Sequence, residues 1–176
     1  GLGDVYKRQS HARPLPTASP SPSHTKKGAT HQMKTIETTT PKETFNLGQS
    51  IAQKATPGQI YTLNGDLGTG KTVFTQGVAK GLGIEEPVNS PTFTIVQIYE
   101  SGRLPFYHFD VYRIGDIEEM EEIGYDDYFF GEGICLIEWA ELIEELLPPD
   151  VIKITIEKDP SKGFDYRKIT IEGLNE

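Results

Sequence analysis

Gly65-Asp66-Leu67-Gly68-Thr69-Gly70-Lys71-Thr72 gathers three glycines, a lysine and two hydroxyls into eight residues. The spacing matches G-x-x-x-x-G-K-[ST], the phosphate-binding P-loop pattern. Glycines let the backbone curl so that successive N–H groups converge on phosphate oxygens. A helix opening near Lys71 adds N–H donors without intrahelical partners and the positive end of its dipole. The Lys71 ammonium is suited to bridge β- and γ-phosphates, and the Thr72 hydroxyl to ligate Mg²⁺. Asp66, Leu67, Gly68, Thr69 and Gly70 supply the rest of the cradle. The expected ligand is a nucleoside triphosphate. No N-K-x-D sequence follows the loop, which favours ATP over GTP.

Hydrolysis at such a loop also needs a carboxylate on a neighbouring strand to hold the metal or its water. Glu138 ends the apolar run "ICLIE" and Asp110 ends "FYHFD". Either acid also has an ordinary reading, as a strand-end cap or half of a surface ion pair. Trp139, the single tryptophan, reads by itself as core packing. The segment "NSPT", with Ser90 and Thr92, is by itself only an extended stretch around a proline.

These residues need elements to position them. Thr40, Pro41 and Glu43 form a helix start with a capping box, after which Phe45, Gly48, Ile51, Ala52 and Ala55 share a face. A strand is expected over 59–63, then the glycine loop, then a helix over 71–82 that carries Phe74, Val78 and Leu82 and stops at Gly83. Strands follow at 93–99 and 104–110, Pro105 suggesting an edge or a bulge. Asp116 and Glu119 read as a second capping box for a short acidic helix ended by Gly124. "ICLIE" has the continuous apolar character of a strand buried on both faces. "AELIEELLPP" reads as a helix, and "VIKITIE" and "YRKITIE" as a final hairpin. The fold class is α/β: a three-layer P-loop NTPase-like fold with a mixed sheet flanked by helices.

Residues 1–32 are rich in Pro, Ser, Thr and basic side chains, a composition expected of a disordered extension or of sequence upstream of a start at Met33. Residues 33–176 are expected to form one domain. From Met33 onward 12 basic residues face 25 acidic ones, a net charge of −13. Such a surface lacks the clustered Lys and Arg needed to grip a nucleic-acid backbone. A lone Cys135 excludes an internal disulfide and a cysteine metal cage, and inside "GICLIEW" it reads as a small buried apolar side chain. No apolar run approaches the length of a membrane span, so a cytoplasmic domain is expected.

Together, "GDLGTGKT", "NSPTF", "HFDVYR" and "LIEWAE" resemble the TsaE (YjeE) family, P-loop ATPases of tRNA N6-threonylcarbamoyladenosine synthesis. The resemblance runs from about Phe45 to the final hairpin. Ala140 departs from the family's frequent proline after tryptophan, and Val73 from its common second threonine. The resemblance implies that Lys71 and Thr72 serve phosphate and magnesium. It implies that Ser90 and Thr92 lie in a switch region, that Asp110 is the acidic strand-end residue, and that Glu138 is the Walker B-like acid and a magnesium ligand. Trp139 would stand near the nucleotide, His108 would help position Asp110 or a partner, and Tyr112 and Arg113 would be structural or face that partner. The implied partner is the TsaB–TsaD pair, with tRNA reached only through it. The acidic surface suits docking on protein.

Two rivals stand beside this reading. A small-molecule kinase would need an acceptor pocket and usually an arginine-bearing lid. Only Arg103, Arg113 and Arg167 follow Met33, and no lid-like insertion is evident. A nucleotide sensor would bind Mg·ATP and release no phosphate even with partners present.

Overall fold

The computed structural model describes residues 32–175, so the extension expected at the start of the chain falls, but for Gln32, outside the described residues. Seven strands form one mixed sheet: β1 (Met33–Thr38), β2 (Ile60–Asn64), β3 (Val96–Tyr99), β4 (Phe106–Asp110), β5 (Ile134–Glu138), β6 (Ile152–Lys158) and β7 (Arg167–Glu172). Four helices accompany them: α1 (Pro41–Gln53), α2 (Lys71–Gly81), α3 (Glu118–Glu122) and α4 (Tyr125–Phe129), with a 3₁₀ segment at Ala140–Leu146. The strand order is β1-β7-β6-β2-β5-β4-β3. The central strands β6, β2, β5 and β4 run parallel, and β1, β7 and β3 pair antiparallel with their neighbours.

Parallel central strands must be covered on both faces, and the two cores show how. Leu63, Leu136 and Ile154 point to the face that carries Phe74 and Val78 of α2 and Ile51 and Ala52 of α1. Ile60, Phe109, Cys135 and Ile137 point to the other, against Met120 of α3, Phe129 of α4 and Ile143 of the 3₁₀ segment. Every residue of β5 is buried, as the continuous apolar run requires. The three-layer α/β expectation holds.

Helices α1 and α2 meet through glycine. A methyl on Gly77 would strike the Phe45 carbonyl oxygen, one on Gly48 the Phe74 carbonyl oxygen, and one on Gly81 the Gln49 carbonyl oxygen. Three backbone approaches this close fix the height of α2, and so of Lys71 at its first turn.

Several local expectations change. Strand β1 was not anticipated. Its residues are mostly exposed, so it shows little apolar alternation, and it forms by pairing along β7 from Met33↔Glu172 to Thr38↔Arg167. The expected strand at 93–99 begins only at Val96, because residues 92–95 turn and Ile95 adopts φ 68°. Pro105 marks neither an edge nor a bulge: β4 lies between β5 and β3, and Pro105 precedes it, its carbonyl accepting from the Ile134 N–H. Thr40 caps α1 by accepting from the Glu43 N–H at 3.1 Å. Glu43 turns to Thr39 instead of closing the box on Thr40, bonding both its N–H and its hydroxyl. Asp116 likewise accepts from the Glu118 N–H in a local turn, and α3 has no side-chain cap. "AELIEEL" is 3₁₀ and kinked at Ile143, where φ is −126° and the side chain is fully buried.

Candidate nucleotide-binding site

The four parallel strands end along one edge of the sheet, the usual place for a ligand in an open α/β sheet. The loop after Asn64, the strand ends at Asp110 and Glu138, the segment with Ser90 and Thr92, and the β6–β7 hairpin bound a cleft of about 1130 Å³ there. Asp66, Leu67, Gly68, Thr69, Gly70, Lys71, Thr72, Ser90, Thr92, Asp110, Glu138 and Trp139 all line it. Every candidate site residue from the sequence therefore reaches one cleft.

The glycine loop is shaped by two left-handed residues, Gly68 at φ 76° and Gly70 at φ 98°. A side chain there would be strained, and Gly70 has open space beside it out to 4 Å. Gly70 is the N-cap of α2 and provides no side-chain cap, so the first N–H groups of the helix keep their capacity for an external acceptor. Thr69 is buried, its hydroxyl donating to the Asp66 carbonyl at 2.9 Å. It packs where a methyl on Gly65 would meet its Oγ1 at 2.6 Å and the Ile156 carbonyl at 2.8 Å, so loop and β6 are in close contact.

Lys71 Nζ lies 4.0 Å from Glu138 Oε1 and 5.4 Å from the centre of the Trp139 ring. Glu138 Oε2 is 2.9 Å from His108 Nε2. Both acids are buried at their strand ends, and His108 is more buried still. His108 stacks on Phe106, and among the described residues its Nδ1 has no hydrogen-bond partner. The histidine thus holds Glu138 and not Asp110, one strand away from the partner the sequence suggested. Asp110 accepts the Tyr112 N–H at 3.0 Å on Oδ1, and its Oδ2 is 3.5 Å from the Ser90 hydroxyl, itself 3.0 Å from Thr92 Oγ1. Asp110 therefore ties the end of β4 to the "SPT" loop.

The strained backbone of that loop points the same way. Ile95 is a β-branched residue in the left-handed region, an uncommon state that local contacts must hold. Its N–H donates to the Pro91 carbonyl and its own carbonyl accepts from the Asp110 N–H at 2.8 Å. Trp139, at φ 62°, makes the corresponding sharp exit from β5 and packs on Tyr112 with ring centres 4.8 Å apart. Neither left-handed residue was foreseeable: nothing in the identity of isoleucine or tryptophan signals it.

The final hairpin supplies what sequence reasoning missed. Lys158 and Arg167, opposite each other in the β6–β7 register, both line the cleft beside the glycine loop. The only available signal was that Arg167 is one of three arginines after Met33.

A family model described as "Threonylcarbamoyl adenosine biosynthesis protein TsaE" matches residues 38–169. The chain belongs to the TsaE family. Among TsaE relatives, the Bacillus subtilis (strain 168) "tRNA threonylcarbamoyladenosine biosynthesis protein TsaE" is 53% identical over 137 residues, covering 78% of this chain and 84% of the relative. The protein of the same name from Haemophilus influenzae is 47% identical over 114 residues, 64% and 72% of the two chains. The crystal structure of Bacillus subtilis YdiB superposes with a TM-score of 0.71 at 43% identity, covering 82% of this chain and 88% of that one. The TsaE resemblance carried by the four motifs is borne out, and with it the P-loop fold.

Proposed function

We propose that this chain binds Mg·ATP in the cleft, hydrolyses it slowly, and serves tRNA threonylcarbamoyladenosine synthesis by acting on a TsaB–TsaD pair. The observation that carries the nucleotide reading is the joint placement of the glycine loop, Lys71 and two buried strand-end acids around one opening. The glycine loop and the uncapped start of α2 offer N–H donors to phosphate oxygens. Lys71 neutralises phosphate charge, and its neighbour Glu138 limits where the ammonium can rest.

The donor set fits magnesium. Thr72 and Glu138 offer one hydroxyl and one carboxylate to the cleft, and Mg²⁺ in triphosphate sites takes most of its ligands from phosphate and water. Among the described residues no group of three or more His, Cys, Asp and Glu could cage a metal alone, which accords with a metal brought by the nucleotide. When bound, magnesium would neutralise charge on the β- and γ-phosphates. His108 orients the Glu138 carboxylate, and Asp110 holds Ser90 at the cleft wall, so that occupancy of the cleft could reorder residues 90–95.

The printed role of the relatives, tRNA threonylcarbamoyladenosine biosynthesis, supports the pathway. The charge supports the division of labour. Residues 111–133 and 139–150, the segments on either side of β5, carry 12 carboxylates and a single cation, Arg113, and pack over one face of the sheet. Such a surface repels tRNA and suits a protein partner. Among the described residues no helix is long and apolar enough to cross a membrane.

Equilibrium dialysis with radiolabelled ATP and magnesium tests the binding step. The full chain should bind one ATP, and Lys71→Ala should bind at least about tenfold more weakly, the loss of a charged hydrogen bond. Equal binding by the two would remove Lys71, and the P-loop reading, from the account.

A further inference from the structure

Arg167 opens β7, where it pairs with Thr38 on one side and Lys158 on the other. Its guanidinium leaves the hairpin for the glycine loop. Nε donates to the Thr69 carbonyl at 2.7 Å and Nη2 to the Gly68 carbonyl at 3.4 Å. Nη1 donates back to the carbonyls of Phe164 and Tyr166, at 2.9 and 2.7 Å. All four acceptors are backbone oxygens. The side chain therefore holds main chain in place, and its rigid fork is what makes two carbonyls of one loop reachable together.

A trans peptide is planar, and its C=O and N–H point in opposite directions. Holding the Thr69 carbonyl against Arg167 therefore turns the Gly70 N–H away from the hairpin. Gly70 is the cap of α2, and the space beside it is open. Holding the Gly68 carbonyl does the same to the Thr69 N–H, which meets the Asp66 carbonyl within the loop at 3.3 Å. Glycines at φ 76° and 98° leave this stretch with many alternative conformations, so an external restraint is needed to keep one.

We propose that Arg167 is a positioning residue of the nucleotide site: by anchoring the Gly68 and Thr69 carbonyls it aims the Gly70 N–H at the bound phosphates. The inference rests on the ATP-binding reading above. It makes the β6–β7 hairpin, 98 residues along the chain from Thr69, part of the phosphate cradle. A simpler role would be long-range attraction between one more cation and the triphosphate. The two differ over lysine, which keeps the charge and loses the fork.

Three variants of the full chain separate these roles: Arg167→Lys, Arg167→Met and, as a charge control one residue along the strand, Lys168→Gln. Each is measured for Mg·ATP affinity by equilibrium dialysis, for melting temperature, and for the order parameter of the Gly70 amide by ¹⁵N relaxation without nucleotide. Positioning predicts that Arg167→Lys and Arg167→Met both lose affinity by on the order of tenfold. The order parameter of their Gly70 amides should fall, and Lys168→Gln should match the parent in both respects. Wild-type affinity and an unchanged Gly70 amide in Arg167→Lys would overturn the proposal in favour of charge alone. If Arg167→Met does not fold, the lysine variant still decides. If the parent chain binds no Mg·ATP, the ATP reading falls, while the Gly70 amide still reports whether Arg167 orders the loop.

Discussion

Asp110 and Glu138 stand directly opposite one another on β4 and β5, each the last residue of its strand and each buried. Their surroundings divide them. Glu138 is held between His108 and Lys71, on the side of the glycine loop, whereas Asp110 is held by the Tyr112 N–H and the Ser90 hydroxyl, on the side of the "SPT" loop. Two carboxylates on one edge are thereby given different surroundings, one beside the glycine loop and one at the "SPT" loop, and the proposed function assigns them different work.

Isosteric amides test that division. Glu138→Gln should lower phosphate release by on the order of 100-fold, the scale of a displaced charge-stabilising group, with Mg·ATP still bound. Asp110→Asn should instead weaken the dependence of residues 90–95 on nucleotide, read as loss of the ATP-induced change in proteolysis of that loop. If Asp110→Asn alone stops hydrolysis and Glu138→Gln leaves it intact, the roles are reversed.

His108 and Glu138 form a buried pair whose stability value depends on both partners being present. His108→Leu should destabilise the fold by about 1–3 kcal/mol in urea titrations, because it strands a buried carboxylate. His108→Leu with Glu138→Leu should recover much of that loss while remaining inactive, since buried pairs are often replaceable by apolar side chains. A double variant less stable than the single one would mean that the pair contributes more to the fold than its geometry suggests.

The contact between α1 and α2 leaves no room for a methyl group at Gly77, which would meet the Phe45 carbonyl. Gly77→Ala should cost about 1–3 kcal/mol of overpacking and lower ATP affinity as well, because α2 carries Lys71. Gly115→Ala, whose methyl would first meet a Glu119 carboxylate oxygen at 3.8 Å, should change neither. Thermal melts of the two variants decide the matter.

Burial pushes the Cys135 thiol from its usual 9.0 up to about 12, and the Tyr61 hydroxyl from 10.0 up to about 12. The unfolded chain ionises these groups first. Their contribution to stability is therefore complete below pH 9 and lost as pH rises from 9 toward 12. Native protein at pH 8.5 should resist iodoacetamide for hours and react rapidly in urea. Fast alkylation of the folded chain would contradict the burial of β5.

The site was more legible than the frame around it. Residues 65–72 announced themselves because phosphate binding needs a particular run of residue types, and the acids at 110 and 138 because each ends an apolar strand. Strand β1 was invisible, since a mostly exposed edge strand with one apolar residue on its inner face, Ile36, has little alternation to read and owes its existence to β7. The left-handed turns at Ile95 and Trp139 were invisible for a different reason: residue type does not encode them, and tertiary contacts hold them. Arg167 looked like one strand-end cation in a polar hairpin. Only the sheet order, which puts β6 beside β2, shows that the hairpin's loop end lies against the glycine loop.

Phosphate release from ATP by the full chain, alone and with a TsaB–TsaD pair, tests the central claim most directly. The account predicts very slow turnover alone and clear stimulation by the pair, both abolished in Lys71→Ala. Intact ATP binding with no release under either condition would contradict partner-activated hydrolysis and leave a nucleotide sensor in its place.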